Sequence, residues 1–267
     1  MILSIDIGVR NLSMCIMSCT NKTDLGTYKI HLWEDYNTLE ADTHICTGIQ
    51  KSGKLCGKKG SYKRQVDLDT SNEDVVRQGT VYSCKTHFPK DTPIKKEHIF
   101  KPKLIKDYLL QDLVTIILKK MQEIYTTNKE LFNSLSSIII ELQPTLNPRM
   151  KLVSHVLYGK LVEIYMDRNN QPTIRFIRAS NKLKAYTGPE IKCALKGKYA
   201  QRKWLSVQYT RYFLENKFSK EQKEIWLNNF LTCGKADDRS DTALMAINGL
   251  YGIPKKQIRN KNGSEIK

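Results

Sequence analysis

The chain is predicted to be an α/β protein, a mixed sheet flanked by helices, with a small Cys/His insertion. Three observations predict this. Short apolar runs rich in β-branched residues occur near the start, in the middle and again past residue 170. Longer stretches with apolar residues at helical spacing follow them. Between residues 43 and 90 this periodicity gives way to Gly, Lys and Ser, and three of the seven cysteines appear there.

Ile2–Ile7 and Leu12–Met17 are apolar runs around Gly8-Val9-Arg10-Asn11, which predicts a buried hairpin. Gly26–Trp33 alternates apolar and polar residues and adds a third antiparallel strand. Leu104, Tyr108, Leu109, Leu113, Ile116, Ile117, Met121 and Ile124 recur at helical spacing, so one amphipathic helix is expected over Lys103–Tyr125. Ile138–Leu142 is expected as a central strand ended by Pro144. A helix follows Pro148, with Leu152, Val156, Leu157, Val162 and Ile164 as its apolar positions, and Thr173–Arg178 is a further strand. The lysine-rich stretch Lys182–Lys203, with Gly188 and Gly197, is expected as a loop leading into a helix near Gln201–Glu215. The last helix runs from near Asp238 to Tyr251. The expected organisation is a main domain over 1–42 and 91–253, an insertion over 43–90, and a basic, disordered tail over 254–267.

Composition narrows the function classes. The 267 residues carry 44 Lys and Arg against 27 Asp and Glu, a formal charge of +17, which favours a polyanionic partner, nucleic acid ahead of a membrane surface. No run approaches a membrane span, and Asp6 comes too early for a signal peptide. An odd cysteine count without a dense framework points to a reducing, intracellular compartment.

Against this basic background the carboxylates stand out. Asp6 sits mid-strand among apolar neighbours, where an uncompensated charge is costly, and Glu141 ends a second apolar strand. Asp238 and Asp241, three residues apart in Asp237-Asp238-Arg239-Ser240-Asp241, share a helix face. Each has an ordinary explanation as a helix cap or strand end. Together, carboxylates converging from two strand ends and a helix start would repel one another unless a cation neutralises them, and hard oxygen ligands point to Mg²⁺ or Mn²⁺.

Three ordered motifs, SIDIGVRNLS, IIIELQP and KADDRSD, resemble the Holliday junction resolvases of poxviruses and other large cytoplasmic DNA viruses, relatives of bacterial RuvC. The resemblance continues through NPRMKLVSHVLYGKLVEIYM and covers most of the chain outside the insertion. It implies an RNase H-like fold with a five-stranded mixed sheet. It also implies a metal-dependent endonuclease that resolves branched DNA by paired nicks through two-metal hydrolysis, acting as a homodimer where a virus replicates in the host cytoplasm. The family's four metal-binding carboxylates fall on Asp6, Glu141, Asp238 and Asp241, with Asp237 left as support or cap. Asp6 and Asp241 would share one ion and Glu141 would lie near the other. The family's catalytic lysine matches Lys203 in YAQRKWLSVQY best, with Lys182 and Lys184 as competitors for the role.

Cys46, Cys56, Cys84 and His87 offer three sulfurs and an imidazole, enough to close a tetrahedral structural Zn²⁺ site, with His44 a rival ligand. A metal is the natural staple for a segment too rich in Lys and Gly to form a core. The insertion is expected either to extend a DNA-binding surface or to support a dimer. Lys182, Lys184, Lys192, Lys196, Lys198, Arg202 and Lys203, interleaved with Tyr186, Tyr199 and Trp204, form the candidate phosphate-contacting patch. The apolar face of the helix after Pro148 suits either a two-fold interface or packing on the sheet. Rival readings are an RNA–DNA hybrid nuclease and a non-catalytic zinc-containing DNA-binding module. An actin-like ATPase would need glycine-rich phosphate loops, which are not found.

Overall fold

A computed structural model describes residues 1–39, 44–68, 77–101, 103–143, 146–234 and 236–251; Pro144 and the expected basic tail 254–267 lie outside the described residues. Its strands are β1 (Ile2–Ile7), β2 (Asn11–Cys19), β3 (Tyr28–Asn37), β4 (Tyr62–Leu68), β5 (Arg77–Ser83), β6 (Ser137–Glu141) and β7 (Thr173–Ile177). Its helices are α1 (Leu110–Thr127), α2 (Lys129–Asn133), α3 (Pro148–Tyr165), α4 (Lys198–Asn216), α5 (Lys220–Thr232) and α6 (Ala236–Tyr251). Met1–Thr38 and the chain from Leu110 onward form one compact unit, and Leu39–Leu109 forms a second.

The first unit contains a five-stranded mixed sheet in the order β3-β2-β1-β6-β7. β1, β2 and β3 are antiparallel neighbours, while β1, β6 and β7 run parallel. The turn from β1 to β2 closes with the Gly8 N–H donating to the Asn11 carbonyl at 2.7 Å. A Cβ at Gly8 would lie 2.6 Å from that oxygen, so a side chain there would force the turn open.

Strand alternation sorts the two faces. Leu3, Ile5 and Ile7 of β1 and Ile138 and Ile140 of β6 pack with Ile117, Met121 and Ile124 of α1 and Val153, Leu157 and Leu161 of α3. The intervening positions face the other way, where Ile2 and Ile139 pack with Phe213 of α4, Phe230 of α5 and Leu244 and Ile247 of α6. α6 lies tight on the sheet. A Cβ at Gly249 would come within 2.4 Å of both Ile2 and Ile139, and the buried Ser4 hydroxyl donates to the Thr242 carbonyl at 2.7 Å. That hydrogen bond satisfies a polar group which would otherwise cost about 1–3 kcal/mol to bury. α3 begins on a cap, the Asn147 side chain accepting from the Met150 N–H at 3.2 Å, with Pro148 in the first turn.

The structure shifts two expected boundaries. The helix expected from Lys103 begins at Leu110, because residues 105–107 form a 3₁₀ turn in which Asp107 accepts from the Leu104 N–H. The second unit reaches Leu109, beyond the expected 43–90, since Ile99 bridges Tyr62 and the Phe100 N–H donates to the Ser61 carbonyl. α5 had no counterpart among the expected elements. Its signal was Ser219-x-x-Gln222, with the Ser219 hydroxyl accepting from the Gln222 N–H.

Candidate functional site: a carboxylate centre and a cysteine centre

The parallel pairing of β1 and β6 aligns Ile5 with Ile140, so one position on Asp6 and Glu141 stand side by side at the strand ends, facing α6. The first turns of α6 bring Asp241 to them. Among the described residues, Asp6, Glu141 and Asp241 each place a carboxylate oxygen within 4.8 Å of the other two. They line a cavity of about 400 Å³ together with Asn11, Gln143, Lys182, Tyr199, Arg202, Lys203 and Asp238. Asp238 thus lies on the cavity wall, outside the three-carboxylate cluster.

Lys182 sits inside this cluster. It is buried, 2.5 Å from the Asp241 Oδ2 and 3.4 Å from the Glu141 Oε1. The sequence named it both as a phosphate-contacting lysine and as a competitor for the catalytic role, and the structure puts it against the carboxylates. Burial pushes Lys182 down, but the charges of Glu141 and Asp241, the hydrogen bond to Asp241 and the charge of Asp6 outweigh it, and its pKa is raised. Asp6 is raised well above the ordinary carboxylate value, first by burial, then by the Glu141 charge and hydrogen bond and by Asp241. Asp241 is raised by burial, against the opposing pull of Lys182 and of Ser206, whose hydroxyl donates to Asp241 Oδ1 at 2.5 Å. Ser206, within α4, carried no signal in the sequence.

One ammonium therefore faces three carboxylates. The uncompensated negative charge, the all-oxygen donor set and the open cavity fit divalent Mg²⁺ or Mn²⁺.

Lys203 lies at the cavity wall on α4, paired with Asp237 and 5.4 Å from the Tyr199 ring centroid. Burial pushes it down, yet hydrogen bonding to Asp237 and Tyr199 raises it overall. Arg239 points away from the cavity, donating to Asp35 at 2.8 Å and reaching Glu34 at 3.4 Å on β3, while the Trp33 indole donates to its carbonyl at 2.9 Å. Lys184, Lys192, Lys196, Lys198 and Arg202 are exposed. Tyr186, expected among them as a presented ring, stacks on Tyr209 at 3.7 Å between centroids.

In the second unit, Cys46, Cys56, Cys84 and His87 each place a ligand atom within 4.8 Å of the others. The His87 Nδ1 is 3.4 Å from the Cys46 sulfur and 3.5 Å from that of Cys84, and the Cys56 and Cys84 sulfurs are 3.9 Å apart. A tetrahedron with metal–sulfur bonds of about 2.3 Å has edges of roughly 3.8 Å, so the spacing suits Zn²⁺. Backbone amides support the sulfurs in a repeated way. The N–H two residues on, from Gly48, Lys58 and Thr86, is directed at Cys46, Cys56 and Cys84 respectively. Burial pushes Cys84 up, but the amides of His87 and Thr86 and the neighbouring sulfurs bring it down to about 6. A Cβ at Gly48 would lie 2.5 Å from the His87 ring. Cys46-Thr47-Gly48 and Cys56-Gly57-Lys58 are the sequence signals of the first two turns. His44, the rival ligand, instead stacks on Tyr82 with 3.5 Å between centroids.

No family model matches the chain. A curated relative, an uncharacterized protein (L451) of Acanthamoeba polyphaga mimivirus, is 28% identical over 261 residues, spanning 90% of this chain. The chain covers 58% of that relative's length. A solved structure of Fowlpox virus resolvase with Holliday junction DNA aligns over 95% of this chain and 99% of its own, with a TM-score of 0.43 and 12% identity. Among the described residues, no helix is long and apolar enough to cross a membrane.

Proposed function

We propose that the chain is a metal-dependent endonuclease of the RNase H-like type that nicks branched DNA, with the four-way junction as its substrate and a homodimer as its working form. The observation that carries this is the trio Asp6, Glu141 and Asp241, charge-deficient by more than one cation, on the floor of a cavity walled by Arg202 and Lys203. A divalent ion needs the first feature and a phosphodiester needs the second. The sequence motifs that resemble viral junction resolvases supply the substrate class and the role in viral recombination and genome processing, and the mimivirus relative is consistent with a viral source.

Asp6, Glu141 and Asp241 hold the ions, with Asp238 completing the set from the wall. Ions bound there supply activation of a water and stabilisation of the leaving oxygen. Lys203 meets the charge that develops on the scissile phosphate. Lys182 balances the carboxylates, and the exposed Lys184, Lys196, Lys198 and Arg202 contact the DNA backbone. Zn²⁺ on Cys46, Cys56, Cys84 and His87 is structural.

The test is cleavage of a synthetic four-way junction beside an RNA–DNA hybrid duplex, with product ends mapped. Paired nicks on opposed strands that require Mg²⁺ or Mn²⁺ are expected, abolished by Asp6→Asn and by Asp241→Asn while junction binding is largely kept. Wild-type rates in either variant overturn the site assignment. Hybrid cleavage with an intact junction overturns the substrate.

A further inference from the structure

The cysteine centre is presented by a hairpin whose outer face is apolar. The Cys46 N–H donates to the Lys58 carbonyl, the Cys56 N–H to the Gly48 carbonyl and the Gln50 N–H to the Lys54 carbonyl, and Gly53, with φ +79°, makes the tip. Alternation along this ladder sends Cys46 and Cys56 to the metal side, so Ile45, Ile49, Leu55 and Lys59 take the other. Isolated bridges pair Ile49 with Leu55 and Ile45 with Lys59 across it. Ile45 is 58% exposed, Ile49 66% and Leu55 68%. Ile49 and Leu55, side by side in water at the end of a short hairpin with Ile45 further along the same face, call for an occupant.

Charge says which occupant. Residues 44–66 contain six Lys and Arg and no Asp or Glu. Lys51 and Lys54 flank the apolar pair at the tip and Lys59 shares its face, while Lys58 lies on the cysteine face opposite Cys46; all four are exposed. None of these four is ion-paired with a carboxylate among the described residues. An apolar point set in unpaired cations matches a nucleic acid where stacking is already interrupted. The lysines contact phosphates, and the aliphatic side chains fill the gap that an opened base step leaves. A continuous duplex offers the phosphates without the gap.

Resting on the branched-DNA reading of the carboxylate centre, we infer that the 44–60 hairpin is a second DNA contact, in which Ile49 and Leu55 wedge against unstacked bases at a branch point while Lys51 and Lys54 hold the flanking phosphates. The insertion is then a sensor of branching, separate from the residues that cut.

The test uses the full chain with zinc loaded and two probes, a four-way junction carrying 2-aminopurine at the branch and a linear duplex of the same arms. Ile49→Ser with Leu55→Ser, and Lys51→Gln with Lys54→Gln, are each compared with wild type, zinc content serving as the check that the unit is folded. Wild type is expected to raise 2-aminopurine fluorescence on the junction only. The apolar variant should lose that rise and about tenfold in junction affinity, with its salt dependence kept. The lysine variant should lower the slope of log affinity against log salt by about two, on both probes. Unchanged junction affinity and fluorescence in the zinc-replete apolar variant overturn the inference. So does an apolar variant whose only change is a weaker dimer by sedimentation, which assigns the face to a second protein copy. Nicking by wild type, assayed in parallel, keeps the two readings apart. Nicking with an inert hairpin defeats only the wedge. A responsive hairpin without nicking defeats the nuclease and leaves the wedge standing.

Discussion

The two clusters with the spacing to hold a metal are built on opposite plans. Asp6, Glu141 and Asp241 stand on strands and a helix already fixed by burial of Leu3, Ile5, Ile138, Ile140, Leu244 and their neighbours, so a charge-poor site is imposed on a core that folds regardless. Cys46, Cys56, Cys84 and His87 stand on hairpins and turns in a unit where Ile45, Ile49, Leu55, Leu104 and Leu109 are all exposed, and the ligand-bearing segments are joined by ring contacts, His44 with Tyr82 and Phe100 and Tyr62 with Phe88, rather than by an aliphatic core. The difference teaches where each metal's free energy goes. A metal bound in the first unit would offset carboxylate repulsion; one bound in the second would supply folding itself.

Removing zinc is the strongest way to break the contrast. Structural zinc in small fingers contributes about 10–16 kcal/mol of binding free energy at neutral pH. Cys84→Ser, or a thiol-competitive chelator, should therefore unfold Leu39–Leu109 while the first unit keeps its fold. Trp33, Trp204 and Trp226 all lie in the first unit, so unchanged tryptophan fluorescence beside new proteolytic cuts between residues 44 and 101 is the expected pattern. Persistence of the second unit without metal would erase the distinction.

Next in size is Lys182→Met, which leaves three carboxylates with no cation. Breaking a buried ion pair from one side costs about 3–5 kcal/mol. Urea unfolding followed by tryptophan fluorescence should show that loss in Mg²⁺- and Mn²⁺-free buffer, and saturating Mn²⁺ should restore most of it. Equal stability in both buffers would mean that Lys182 is no counter-ion.

The smallest effect is the most diagnostic. Asp6 and Asp241 have raised pKa values in the folded, metal-free protein. Protonated, they favour the fold. Their contribution is fully present below the ordinary aspartate value and is lost as pH rises through the raised one. Metal-free wild type should thus lose stability toward alkaline pH, by about 1.4 kcal/mol for every tenfold by which folding tightens a carboxyl's hold on its proton. Asp6→Asn should flatten that slope and be more stable than wild type at pH 8, with the advantage shrinking as pH falls toward the ordinary aspartate value. Parallel slopes would show that Asp6 is not strained by its neighbours.

How much of this the sequence disclosed follows from how local each pattern is. β1, β6 and α6 were legible because Ile2–Ile7, Ile138–Glu141 and the run after Asp241 carry their own periodicity, and carboxylates inside such runs advertise themselves. Lys182 was ambiguous because nothing in SNKLK distinguishes a lysine folded inward from one left in solvent; only the 3₁₀ turn at Ala179–Ala185, packed against α6, decides it. The insertion was opaque for another reason. Alternation in its 45–59 hairpin serves the cysteine cluster on one side and solvent on the other, so Ile45, Ile49 and Leu55 mark no core, and the hairpin is set by Gly48, Gly53 and Gly57.

Arg239, anchored to Glu34 and Asp35 between two acids of α6, sets the angular phase of that helix. One residue of helix is about 100° of rotation. Deleting Ser240 with the rest of α6 held on the sheet would move the guanidinium off the acids of β3 and set Asp238 against them. The motif is therefore keyed like a lock barrel, tolerant of a changed tooth and intolerant of a turned shaft. Length changes in this stretch should be far more damaging than substitutions at Asp237 or Ser240.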